Sequence, residues 1–144
     1  LENKDFKKIR NSKQLIETLD AFSQGVRAWN KELNIPQDSA NLGIVELENN
    51  LFRIVVSLRS MSDSDMSILE AQTKSFFDLC GFTVVFPSSH DAWTPYIGNF
   101  SKRVKSVVFK YIPSAEFKAI HAGLECGLLI AKQKEPKEAV SIGP

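Results

Sequence analysis

Cysteine is scarce here, with only Cys80 and Cys126 in 144 residues. Two thiols cannot build a disulfide framework, and in a chain able to form a core they read as reduced and cytosolic. Histidine is as rare, limited to His90 and His121. A zinc site wants three or four protein ligands, and no Asp or Cys cluster completes a set around either. An excess of one charge is missing too: 18 Lys and Arg face 17 Asp and Glu, for a net of +1. Nothing therefore steers the chain toward nucleic acid, which needs a clustered basic face. No stretch approaches the ~20 apolar residues of a membrane span, and the charged start from Leu1 to Arg10 is no signal peptide. Position 1 is not Met, so the expectation is a chain that is processed or cut from something longer. No repeat or low-complexity segment is present.

What remains is ordinary globular material. A hydrophobic share of 43% and a charged share of 24% exclude a disordered or acidic solvating tail. The length suits one average domain, or pieces of two small ones.

The residues from Leu1 to Asn11 read as a solvated lead-in. Ser12 is placed to cap a helix whose Leu15, Ile16, Leu19 and Phe22 follow the 3.6 period, and Gly25 is placed to end it. Val26 to Trp29 fits a short strand. Lys31 to Ser39 reads as a loop, since Pro36 lacks a donor and biases Ile35 toward extended backbone. Next comes a hairpin: Asn41 to Leu47, the turn residues Glu48-Asn49-Asn50, then Leu51 to Arg59. In its second strand Phe52, Ile54, Val56 and Leu58 share one face, so Arg59 points away from it. Ser62 and the acids Asp63 and Asp65 announce a helix start. The helix follows through Met66, Leu69, Thr73, Phe76, Phe77 and Cys80 to Gly81. Phe82 to Phe86 reads as a strand stopped by Pro87.

This first part predicts helices on one face of an antiparallel sheet. Ser88 to Tyr96 is a polar, turn-prone boundary that separates residues 1–88 from 89–144. Beyond it Ile97, Phe100, Val104, Val107, Val108 and Tyr111 mark a helix with a basic outer face at Lys102, Arg103 and Lys105. Phe117 to Ile120 suggests a strand, Leu124 to Ala131 a helix, and Ala139 to Ile142 a last strand, an order that suits a partial parallel α/β layer.

Few residues invite chemistry. His121 and Glu125 would share a face only if both lay on one helix, and two ligands do not make a zinc site. His121 at a strand end bonded to backbone is the plainer reading. Cys126 lies near His121, yet a thiol among Leu124, Leu128 and Leu129 is usually a small buried hydrophobe. Cys80 reads as core, and the aromatics Phe100, Phe109 and Tyr111 as structural. Arg59, at a strand end beside Ser60, suits bidentate capture of a carboxylate. Its alternative is a surface pair with Asp63 or Asp65. Gly123 and Gly127 flank a turn that could present backbone N–H groups to an anion. Trp93, in the polar connection, is either a plug over the core or a contact surface.

Three segments together carry a resemblance. They are Ile120-His121-Ala122-Gly123-Leu124-Glu125-Cys126-Gly127-Leu128, then Asn41-Leu42-Gly43-Ile44-Val45 leading through the hairpin to Leu58-Arg59-Ser60, and finally Ser141-Ile142-Gly143-Pro144. In order and spacing, from about Phe22 to Pro144, the chain resembles the aminoacyl-histidine (Xaa-His) dipeptidases, carnosine-cleaving members of the co-catalytic dizinc exopeptidases. Gly25-Val26-Arg27 falls where that family has a similar element. The family's Tyr-Pro-Gly-Trp element is reduced here to His90-Asp91-Ala92-Trp93, with only the Trp kept.

The resemblance implies a fragment of a longer enzyme. Residues 1–88 would be the latter part of an α+β lid, or dimerisation, domain, and 89–144 an incomplete α/β C-terminal part of the catalytic domain. Arg59 is then implied to bind the substrate's terminal carboxylate, with Asn41, His121, Gly123 and Glu125 near it. Two zinc ions would activate the hydrolytic water, with their ligands and the general-base Glu outside this chain, so the chain alone is expected to be inactive. The implied partners are a dipeptide and a second copy in a homodimer, without nucleic acid or membrane, in the cytoplasm. The competing expectation is a non-enzymatic α/β module that dimerises through its sheet edge. A Cys126 hydrolase ranks last.

Overall fold

The computed structural model describes residues 9–87, 96–121, 125–134 and 138–143. In chain order its elements are α1 (Ser12–Ala21), β1 (Gly25–Asn30), β2 (Ile35–Glu48), β3 (Leu51–Ser60), α2 (Asp63–Leu79), α3 (Asn99–Val108) and α4 (Glu125–Lys132). The strands form one antiparallel sheet in the order β1-β2-β3. Helices combined with an antiparallel sheet make the α+β arrangement expected of the first part.

The hairpin is set by its turn. Asn49 and Asn50 adopt φ of 50° and 64°, the left-handed pair that a two-residue hairpin loop requires and that asparagine tolerates. From there β2 and β3 pair as far as Asp38 opposite Ser60. Gly43 is left unpaired as a bulge between Leu42 and Ile44. The bulge keeps Ala40 and Leu42 on the face that also carries Ile54, Val56 and Leu58.

On that face lies the core. Phe22, Ala40, Leu69 and Phe77 are buried, and Leu42, Ile54, Val56, Leu58, Phe76, Phe82 and Val84 pack around them. Four phenylalanines meet at its centre. Phe77 lies 5.1 Å from Phe22, 5.2 Å from Phe76 and 5.8 Å from Phe82, the last two edge to face, a geometry aromatic quadrupoles favour. Helix α2 starts where Ser62 Oγ accepts from the Asp65 backbone N–H, as Ser62 and the two acids predict. It ends at Leu79 with Cys80 as its cap, and Gly81 follows with a φ of +83°, the left-handed value used just past a helix terminus. Gln14 Nε2 donates to Cys80 O at 2.8 Å and ties α1 to this end.

Several expectations need correction. Ser12 is not the cap of α1: it is the first helical residue, and Asn11 precedes it with no side-chain cap bond. The loop shrinks to residues 31–34, where Asn30 Oδ1 accepts from the amides of Glu32 and Leu33, and β2 begins at Ile35. Pro36 is tolerated because β2 pairs there only with β1, opposite Trp29. Its missing N–H costs no bond to β3, whose pairing starts at Asp38.

The strands expected at Phe82 to Phe86, Phe117 to Ile120 and Ala139 to Ile142 do not form ladders. Phe82 and Val84 alternate inward, as do Ala115, Phe117, Ala119 and His121. The period of 2 is therefore present, but a strand exists only with a hydrogen-bonded neighbour. No parallel layer forms among the described residues. Cys80 is half-buried rather than core. The polar connection with His90 and Trp93 lies outside the described residues, Tyr96 excepted.

Helix α3 takes its cap from far along the chain. Glu138 accepts from the Asn99 amide at 3.2 Å and the Phe100 amide at 2.7 Å, satisfying two otherwise unpaired N–H groups at the positive end of the helix. Gly98, the N-cap residue, leaves room for this: a Cβ there would overlap the Glu138 carboxylate. Phe100, Phe109 and Tyr111 are all exposed, so they are not packed as their reading as structural aromatics implied.

Replacing Phe77 by Ala should lower the unfolding free energy by about 3–5 kcal/mol, the cost of truncating a buried aromatic. Leu79→Ala, on the same helix but 89% exposed, should change it by no more than about 0.5 kcal/mol. Urea unfolding of both variants checks the contrast.

Candidate functional site

The sheet has two faces, and α2 covers one. Because side chains alternate along a strand, Ser39 and Asn41 on β2, with Ser57 and Arg59 on β3, share the other. Ser39 stands directly opposite Arg59, and Asn41 opposite Ser57. The two pairs follow each other at two residues' spacing, about 7 Å.

Onto one end of this face comes the segment ending at His121. Ser39 Oγ and His121 Nε2 lie 2.8 Å apart, with the direction of the bond set by the imidazole tautomer. Arg59 Nη1 donates to the His121 carbonyl at 3.2 Å. Ser39 is only 5% exposed as a result, although it lies on the face away from the core. Lys105 Nζ stands 4.9 Å from the centre of the Phe117 ring, binding α3 to the same segment.

His121 lies before α4, whose first residue is Glu125. The two do not share a helix face, so the ligand pair that an i, i+4 spacing would offer is not built. Arg59 is bound to a backbone carbonyl and not to Asp65, whose carboxylate accepts from Ser62 and Gln37. The guanidinium carries five N–H donors in a fixed fork. With one directed at His121, the rest can meet a carboxylate arriving over the open face. Asn41 is exposed beside it. Gly123 lies outside the described residues. Cys126 is half-buried near the start of α4.

Among the described residues no group of three or more His, Cys, Asp and Glu could hold a metal ion. The described residues thus do not fit the zinc pair. Two residues near His121 escape the sequence reading, Ser39 on the open face and Asp38 on the face toward α2. Ser39 falls in the loop expected from Lys31 to Ser39, although counting back two from Asn41 places it on the same face. Asp38, bonded by the Ser60 hydroxyl at 2.6 Å, gave no signal beyond its neighbours.

Burial, and then the Arg59 guanidinium, hold the His121 imidazole below its ordinary 6.5, while Asp38 pulls weakly the other way. The folded form therefore takes up its proton at lower pH than the unfolded form does. Stability should be flat above about 6.5, fall as pH drops below it, and level off once folded His121 is itself protonated. Thermal unfolding between about pH 5 and 8 should show this slope in the wild type, and His121→Gln should lose it.

No protein-family model matches the chain. It is 29% identical over 135 residues to the cytosol non-specific dipeptidase of Escherichia coli (strain K12), covering 90% of this chain and 27% of that protein. Its fold matches part of the crystal structure of aminoacylhistidine dipeptidase from Vibrio alginolyticus with a TM-score of 0.62 and 27% identity, covering 83% of this chain and 25% of the other. The chain thus spans about a quarter of the length of these relatives. The dipeptidase resemblance carried by the three sequence segments holds at the level of sequence and of fold.

Proposed function

We propose that this chain is the substrate-orienting part of a metal-dependent dipeptidase acting on Xaa-His dipeptides. Arg59 takes the terminal carboxylate of the peptide through a bidentate fork, which fixes direction as well as adding attraction. Asn41, His121, Gly123 and Glu125 surround the bound peptide. The observation that supports this reading best is the meeting of Arg59 with His121, 62 residues apart. Each comes from a different segment of those that resemble the dipeptidases. The ions that activate water belong to polypeptide beyond these residues. Orientation by groups that do not react can still be worth orders of magnitude in rate, because it holds the peptide in a near-attack geometry.

A homodimer and a cytoplasmic location complete the proposal. Two sheet edges, β1 and β3, are without a further strand among the described residues, which supports edge pairing between copies. Among those residues no helix is long and apolar enough to cross a membrane. The same open edges favour the competing reading, a binding module without activity, and turnover by the full-length polypeptide separates the two.

In the full-length polypeptide that contains these residues, Arg59→Ala should cost about 2–4 kcal/mol of transition-state stabilisation in kcat/KM for a histidine-ended dipeptide. An unchanged kcat/KM would remove Arg59 from the site. The 144 residues alone should give no turnover, and chelator-sensitive cleavage by them would overturn the assignment of the metal ligands to other polypeptide.

A further inference from the structure

Strands β1 and β2 pair unevenly. Val26 is opposite Ser39 and Ala28 opposite Asp38, so Arg27 is an extra residue on β1. Trp29 is then opposite Pro36, so Gln37 is an extra residue on β2. Two bulges of opposite sense restore the register within five residues, and bulges characteristically re-aim the side chains they carry. Arg27 lines a cavity of about 340 Å³ with Asp38, Asp65, Ile68, Leu69 and Gln72. Gln37 donates to Asp65 Oδ2 at 2.8 Å.

The charges around this cavity are opposite but not paired. Asp38 accepts from the Ser60 hydroxyl and Asp65 from those of Ser62 and Gln37's amide. Arg27 donates to Ser23 O at 2.7 Å. Among the described residues the ion pairs are Lys13–Glu17, Arg53–Glu46 and Lys74–Asp78, and none involves the cavity. The Ser62 and then the Gln37 bonds lower the Asp65 carboxyl from its ordinary value, so it is ionised at neutral pH. Neutral donors thus fix both carboxylates in place while leaving their charge uncancelled. A bare cation entering the cavity would meet Arg27, and a bare anion would meet two carboxylates. A molecule carrying both charges satisfies both walls, and Ile68 and Leu69 of α2 offer apolar surface to its side chain.

We propose that the cavity between the β1–β2 bulges and α2 binds a small zwitterion, a free α-amino acid. Arg27 takes its carboxylate, Asp38 and Asp65 take its ammonium, and an aliphatic side chain lies along Ile68 and Leu69. The site does not rest on the dipeptidase reading, because its test measures binding by the chain and not turnover.

The probe is L-norleucine, titrated into the 144-residue chain by calorimetry and by amide chemical shifts. Pentylamine and hexanoate serve as matched controls, each lacking one of the two charged ends. Norleucine should bind saturably with a Kd on the order of 1 mM. Both controls should bind at least about tenfold more weakly, the scale of one lost charge-assisted contact. Arg27→Gln, at an exposed position, should weaken norleucine about tenfold, and Asp65→Asn likewise. If Asp65→Asn disturbs α2, Asp38→Asn replaces it. Absence of saturable binding overturns the proposal, as does an unchanged Kd in Arg27→Gln. Equal binding of pentylamine and norleucine would make this a cation site and overturn it too.

Discussion

Ser39 must stand opposite Arg59 for His121 to be held between them, and that pairing is decided at the other end of the hairpin. The left-handed Asn49 and Asn50 start the ladder with Glu48 opposite Leu51. Counted evenly from there, Arg59 would fall opposite Ala40. The bulge at Gly43 takes up one residue and brings Ser39 opposite instead. A slip of one residue exchanges the faces of a strand. Without the bulge, the inner part of β2 would carry Ser39 and Asn41 toward α2 and expose Ala40 and Leu42. The burial of Ala40 at 0% exposure and the presence of a serine beneath His121 are thus two results of one register.

That register also decides how the docked segment is held. It meets the sheet through two polar bonds to His121, and α3 through a cation–π contact at Phe117. Such contacts contribute little each once competition with water is counted. They are directional, however, and directional contacts specify geometry where apolar burial specifies only proximity. In the role proposed for it, an arginine already turned toward the open face would need less ordering to meet a carboxylate.

The first part of the fold was largely legible because its signals are local. Alternation from Phe52 to Leu58, the Ser62 cap with its acids, and Gly81 each act within a few residues, and each is observed. The failures share one cause. Phe82 to Phe86, Phe117 to Ile120 and Ala139 to Ile142 carry strand composition, and two of these segments show strand alternation. Pairing is nonlocal, and no sequence period declares the partner. Pro36 misled in the opposite direction, since a missing donor excludes a residue only where a neighbour strand needs it. The placing of Arg59 on the face away from the core is legible from the alternation of β3. Ser39 is missed because Pro36 extends the expected loop over it, and Asp38 because its importance lies in what Ser60 and Arg27 do around it.

Glu138 follows Asn99 by 39 residues. A ribosome builds the chain from its N-terminus, so α3 emerges long before the carboxylate that completes it. A ten-residue helix is marginal in water by itself. Its order during synthesis therefore waits on the arrival of Glu138, and nascent chains halted before that residue would hold α3 as a fluctuating turn against the same finished sheet.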